Sequence, residues 1–253
     1  MWAKPTTLLV ALGMLAVAAC GSGPPVAPSG RTETGSSTAV RVLVITTTVG
    51  FRHDSIAAAI TALRSIAPSS GLSVVFTEDL STLNTEALSR FDVVMFALTS
   101  GELPLPVASK AALLDFVSGG HGFVGVHSAA DTLYEWPEYG QLVGAYFLEH
   151  PWTQRATVIV EDRTHPSTNG IDDRFSLLEE FYTFRDNPRQ RVHVLLRLDD
   201  SSVGSRGDYP LAWSQSFGSG RAYYNALGHF AETWNDADFR RQMAGAIRWA
   251  AGR

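Results

Sequence analysis

The run Arg41-Val42-Leu43-Val44-Ile45-Thr46 is short, β-branched and almost uninterrupted in its apolar side chains, the pattern of a strand covered on both faces. A loop, Gly50-Phe51-Arg52-His53-Asp54-Ser55, follows it. Ile56, Ala59, Ile60, Leu63 and Ile66 then recur at helical spacing, which predicts a helix over residues 55–66. The unit repeats. Residues 72–76 and 91–98 read as strands, residues 106–118 as a helix opened by its proline and ended at Gly119-Gly120, and residues 122–126 as another strand. This alternation restricts the chain to an α/β fold with a mostly parallel open sheet and helices on both faces. Further strands are predicted over residues 156–161, 192–198, 211–216 and 220–226. A closing helix is predicted over residues 238–251, capped by Asp238 and packed through Phe239, Met243, Ile247 and Trp249.

The N-terminus has a different character. Lys4, an apolar run from Leu8 to Ala19 and the small-residue stretch Val17-Ala18-Ala19-Cys20 have the layout of an export signal. The run is too short for a spanning helix, which needs roughly 20 apolar residues. Cys20, the sole cysteine, stands where a bacterial lipoprotein signal places the residue that is lipidated and becomes the new N-terminus. The reading is therefore a signal over residues 1–19, a Gly/Pro/Ser/Thr-rich tether over residues 20–39 and one domain over residues 40–253. It predicts an exported, extracytoplasmic protein held to a membrane by its N-terminal lipid. The net charge is −5, without a Lys/Arg-rich run, which argues against nucleic acid as a partner and for a small neutral or polar ligand.

Ligands of open α/β sheets gather at the carboxyl ends of the strands. Three of the loops expected there carry a histidine: His53 after the first strand, His127 after the fourth and His229 after the last. His127, in Gly125-Val126-His127-Ser128-Ala129, occupies a turn like the one that exposes a nucleophile in several α/β enzymes. The exposed group here is a base or a metal ligand. Neutral imidazoles can bind zinc or another borderline divalent metal, with Glu180 completing the set. The same groups without a metal can serve acid–base catalysis near neutral pH. No close-spaced pair such as His-Glu-x-x-His decides between these readings.

Strand alternation sends Glu179 and Glu180 to opposite faces, one towards the site and the other into solvent, and places Glu180 with Tyr182 on the site face. Asp131 is a candidate for orienting an imidazole or binding a ligand hydroxyl, or else for capping a turn. Of the aromatics near these segments, Phe51, Tyr134, Trp136, Tyr182, Trp213 and Trp234, most are expected as core fillers, with Tyr182 and Trp136 the candidates for contact with a ligand. His150 and His165 precede prolines in expected turns, His193 opens a strand, and His121 falls in a helix-ending turn; these are assigned structural roles.

Taken together, the segments resemble the ThuA-like family, named for trehalose utilisation, within the class I glutamine-amidotransferase-like superfamily. The resemblance rests on Gly50-Phe51-Arg52-His53-Asp54-Ser55, on residues 122–131, on Gly144-Ala145-Tyr146-Phe147 with His150-Pro151, and on His165-Pro166. It rests equally on Glu179-Glu180-Phe181-Tyr182, Ala212-Trp213 and Ala226-Leu227-Gly228-His229. Many relatives have Asp-His-Pro where this chain has Asp208-Tyr209-Pro210. The resemblance implies a flavodoxin-like, amidotransferase-like sheet and a place in sugar catabolism, including routes that handle 3-keto sugars and glycosides. Glutamine hydrolysis through a thiolate is excluded, because His127 replaces the cysteine that amidotransferases carry at the elbow.

The expectation is a lipoprotein acting on a disaccharide, glycoside or keto-sugar, as a hydrolase or lyase, with His127, His53, His229 and Glu180 around the reacting atom. The alternative is a non-catalytic sugar-binding module held at the cell surface.

Overall fold

A computed structural model describes residues 39–253; the expected signal, tether and Cys20 lie outside the described residues. Nine strands form one sheet in the order β2-β1-β3-β4-β9-β8-β7-β5-β6. β1 (Val40–Ile45), β2 (Leu72–Thr77), β3 (Val93–Ala97), β4 (Gly122–Val126) and β9 (Gly220–Asn225) are parallel. Every residue of β3 and β4 is buried, as strands sandwiched between helices must be. The helices α1 (Ile56–Ile66), α3 (Val107–Ser118) and α6 (Ala237–Ala250) are joined by the shorter α2 (Thr85–Leu88), α4 (Pro137–Val143) and α5 (Ala231–Asn235).

The expectation of a mostly parallel sheet needs correction. β8 (Pro210–Phe217) runs antiparallel to β9, and β7 (His193–Leu198), β5 (Phe147–Val160) and β6 (Arg174–Phe184) continue antiparallel, so half of the sheet is parallel and half is not. The reversal begins at Gly218-Ser219, the two residues between β8 and β9, where Gly218 has φ 60°. A two-residue Gly-Ser link is a tight hairpin, which forces antiparallel pairing. The parallel half keeps the order 2-1-3-4 with β9 in fifth place, the flavodoxin arrangement.

Two other elements differ from expectation. β5 starts at Phe147, well before residue 156, and its pairing with β6 shifts register between Phe147 and Trp152. Pro151 has no N–H to give a ladder and is accommodated where the ladder is irregular; His150 is thereby a strand residue and not a turn residue. The closing helix α6 is capped by Asp236, whose carboxylate accepts from Phe239 N at 2.8 Å. Asp238 instead pairs with Arg241 one turn on, at 3.0 Å.

His165 is built into the fold. Its Nδ1 accepts from Ser167 N at 3.2 Å, its Nε2 is buried without a hydrogen-bond partner among the described residues, and its ring lies against Tyr223 and Trp249. Burial lowers its pKa to about 4. Since the folded value lies below the unfolded value of about 6.5, the unfolded chain binds more protons between these pH values, and stability is lost as pH falls through that window. The loss from this residue is on the order of 2–3 kcal/mol. Urea unfolding at pH 7.5 and 4.5 should show a smaller acid loss in His165→Gln than in the wild type. An equal loss in both would remove His165 from the account.

Candidate functional site

The parallel strands end on one edge of the sheet, and the loops leaving β1, β4 and β9 meet there. His127 follows β4 directly, at φ 52°. A non-glycine residue in the left-handed region turns the chain sharply out of the strand, and the segment His127–Asp131 continues as a 3-10 turn. The side chain is fully buried and held at its far edge, where Nδ1–H donates to Ala226 O at 2.7 Å. That bond assigns the ring proton to Nδ1 and leaves the Nε2 lone pair facing the site. Tyr182 O–H donates to Nε2 at 2.9 Å, consistent with this tautomer. Tyr224 O–H holds the His127 carbonyl at 2.7 Å.

The other imidazoles come to the same nitrogen. His53 Nε2 lies 3.1 Å from His127 Nε2, and His229 Nδ1 lies 3.3 Å from it. Glu180, reaching in from β6, brings Oε2 to 3.0 Å from His229 Nδ1 and 3.7 Å from His127 Nε2. His53, His127, Glu180 and His229 thus offer one ligand atom each, all within 4.8 Å of one another. No other cluster of this kind occurs among the described residues.

The electrostatics divide the histidines. Burial drives the His127 pKa well below its ordinary value and lowers that of His53 to about 4, the neighbouring imidazoles adding to the effect. Both rings are therefore neutral at physiological pH, the form that binds a metal. Burial also disfavours a charged His229, but the hydrogen-bonded Glu180 carboxylate outweighs it and raises the pKa. Glu180 is shifted the opposite way: burial would raise its pKa, and His229 brings it below the ordinary value.

The groups open into a small cavity of about 130 Å³ lined by Phe51, His53, Asp131, Phe147, His150, Glu180, Tyr182 and His229. Asp131 accepts from Tyr134 O–H at 2.7 Å, and burial raises its pKa. A larger cleft, about 350 Å³, is lined by Phe175, Leu177, Phe230, Thr233 and Phe239 among others and contains no imidazole; the chemistry lies with the smaller cavity.

Three expectations change against this geometry. Trp136 does not line the cavity: it is buried at the start of α4, against Tyr139 and under Lys110, as a core residue. Glu179 is not solvated but fully buried, accepting from backbone and hydroxyl donors. His150, assigned to a turn, lines the cavity with Nδ1 3.6 Å from Glu180 Oε1. Phe51, expected as a core filler, is exposed and lines the cavity, as does Phe147, which carried no role in the sequence reading. The His150-Pro151 pair beside Phe147 was the available signal.

Comparison with solved structures gives the same architecture. A ThuA-like protein from Bacteroides uniformis superposes with TM-score 0.72 at 25% identity, covering 83% of this chain and 91% of that one. A ThuA-like protein from Parabacteroides merdae gives TM-score 0.69 at 19% identity, covering 84% and 90%. The β-galactosidase of Bacillus circulans sp. alkalophilus shares the fold at TM-score 0.55 and 12% identity, covering 85% of this chain and 31% of the enzyme. No curated protein matches the sequence. The family model described as ThuA, trehalose utilisation, matches residues 41–250, and the chain belongs to that family.

Proposed function

We propose that the protein is a metal-dependent enzyme of carbohydrate metabolism, in which His53, His127, His229 and Glu180 hold a divalent cation at the base of the cavity. One observation carries this reading: the convergence of the ligand atoms. A tetrahedral zinc site with bonds of about 2.0–2.1 Å separates its ligand atoms by about 3.3–3.4 Å. Four of the six pairs here lie at 3.0, 3.1, 3.3 and 3.7 Å, and all six within 4.8 Å. Three nitrogens and one carboxylate oxygen suit zinc and similar borderline cations. Such a cation supplies Lewis-acid polarisation of a substrate oxygen.

The chain's own groups supply the rest. Asp131 and His150 line the cavity within reach of substrate hydroxyls, Tyr182 sets its hydroxyl beside His127, and Phe51 offers an exposed ring at the lip. Polar groups together with an aromatic face suit a sugar, which has hydroxyls on its rim and C–H bonds on its faces. The family description supports a carbohydrate substrate; the reaction is of the hydrolase or lyase type.

Elemental analysis of purified protein should find about one divalent metal per chain, and His53→Ala should lose it while keeping its circular dichroism spectrum. Metal-free wild type with full turnover of 3-keto sugars or glycosides would leave acid–base catalysis by the same side chains as the reading.

The proposed location is extracytoplasmic, held to a membrane by a lipid on Cys20 as the mature N-terminus. Among the described residues no helix is long and apolar enough to cross a membrane. Cys20→Ala should lose both fatty-acid labelling and sedimentation with membranes; labelling that persisted would end that part of the proposal.

A further inference from the structure

Glu179 is a fully buried carboxylate that the proposed site does not use directly. Its Oε1 accepts from Glu180 N at 3.1 Å and His229 N at 3.0 Å, and its Oε2 accepts from Gly228 N at 2.9 Å and Thr233 Oγ1 at 2.8 Å. All four partners are donors, so both oxygens act as acceptors; burial raises the pKa of the group, and these bonds oppose that rise. Burying a carboxyl group in this way is costly. A core-filling role would be met by an apolar side chain at no such cost.

The bonds converge on one short loop. Gly228, at φ 122°, gives its N–H to Glu179, while its carbonyl accepts from Ser55 Oγ at 3.0 Å and from Trp234 Nε1 at 2.9 Å. Ser55 lies two residues beyond His53. Two residues earlier in the same loop, Ala226 O receives the His127 Nδ1–H. Residues 226–229 therefore touch the supports of His53 and His127 and themselves carry His229. Successive residues of β6 grip His229 from two sides: Glu179 takes its main-chain N–H, and Glu180 takes its ring at 3.0 Å.

We propose that Glu179 is a positioning residue: it fixes the 228–229 backbone so that the His229 imidazole is aligned with those of His53 and His127 before any cation arrives. This rests on the reading of the four side chains as a metal centre, and it adds a residue that touches neither cation nor substrate. Pre-alignment matters because a ligand that must be ordered on binding costs affinity. Outer-shell hydrogen bonds of this kind are commonly worth 10- to 100-fold in metal affinity.

The sharpest variant is Glu179→Gln, which preserves volume. Whichever way its amide is placed, an NH2 group faces Gly228 N–H or the pair Glu180 N–H and His229 N–H, so at least one donor meets a donor. Cobalt(II) is the probe, titrated into the purified full chain. The expected result is a folded variant that binds cobalt about 10- to 100-fold more weakly and shows an altered visible ligand-field spectrum. A folded variant with wild-type affinity and spectrum would overturn the proposal.

Should Glu179→Gln fail to fold, Thr233→Val removes a single donor and should show a smaller change in the same direction; an unchanged spectrum there counts against the proposal. If the wild type itself binds no cobalt, the metal reading fails separately. The positioning claim is then decided by imidazole ¹⁵N spectra of the variant, in which the His229 resonances must move while those of His121 and His193 do not.

Discussion

Replacing His127 by Asn should reduce turnover at least about a hundredfold, the lower range for loss of a positioned acid–base group, and abolish metal binding, with the fold intact. The choice of Asn follows from the backbone. Residue 127 sits at φ 52°, and Asn tolerates the left-handed region better than other non-glycine residues. Its side-chain amide can still donate to Ala226 O, so the buried acceptor at that edge keeps its partner. What disappears is Nε2, the atom on which Tyr182, His53 and His229 converge at 2.9, 3.1 and 3.3 Å. Steady-state kinetics with keto-sugar and glycoside substrates, beside a thermal melt, measure the effect. If turnover stayed unchanged and only ligand affinity fell, the catalytic reading would give way to a non-catalytic sugar-binding module.

The largest effect on stability is expected from Trp213→Ala. Trp213 stands on β8, on the antiparallel side of the seam in the sheet, and is fully buried. Its Nε1–H donates to Val143 O at 2.9 Å at the end of α4, and its ring packs on Tyr224 of β9 and Phe184 of β6 with centroids 4.5 and 5.0 Å away. Gly144 is shaped around it: at φ 97° a Cβ would fall 2.4 Å from Trp213 Nε1. Removing the indole opens a cavity among rings that cannot collapse into it and strands a carbonyl. The cost should be about 3–5 kcal/mol, read as a lower urea midpoint at unchanged m-value. Because Tyr224 O–H holds the His127 carbonyl, the variant should also lose site activity beyond the unfolded fraction. A cost below about 1 kcal/mol, within the range of ordinary surface changes, would show that the seam does not depend on this residue.

The parallel half was legible because its strands are buried on both faces, so they appear as continuous apolar runs that alternate with amphipathic helices. The positions of His53, His127 and His229 at strand ends followed from that alternation. In the antiparallel half β7, β8 and the end of β5 were legible as strands but not as a direction, since direction depends on the connection, and β6 was given no range of its own. The Gly218-Ser219 link between β8 and β9 is the residue-level signal that went unread. The start of β5 was hidden for a different reason: nearly all of its first nine residues are exposed, which leaves neither an apolar run nor an alternation to detect. His150 was lost with it. Glu179 was invisible as a buried acceptor because its partners include main-chain N–H groups of residues nearly fifty positions away.

Alternation on β6 pointed to Glu180 and Tyr182 as a pair facing the site. Trp136, equally aromatic and equally near a matching segment, is a core residue because the chain enters α4 there and packs it against Tyr139. Sequence proximity to a motif did not separate the two; the strand period did.

The most direct test of the central claim is X-ray diffraction at the absorption edge of zinc from crystals of the zinc-loaded protein. The account predicts one anomalous peak about 2.0–2.2 Å from His53, His127, His229 and Glu180 at once. A zinc-loaded crystal with no peak at that point, from protein that turns over its substrate in the presence of chelator, would contradict it.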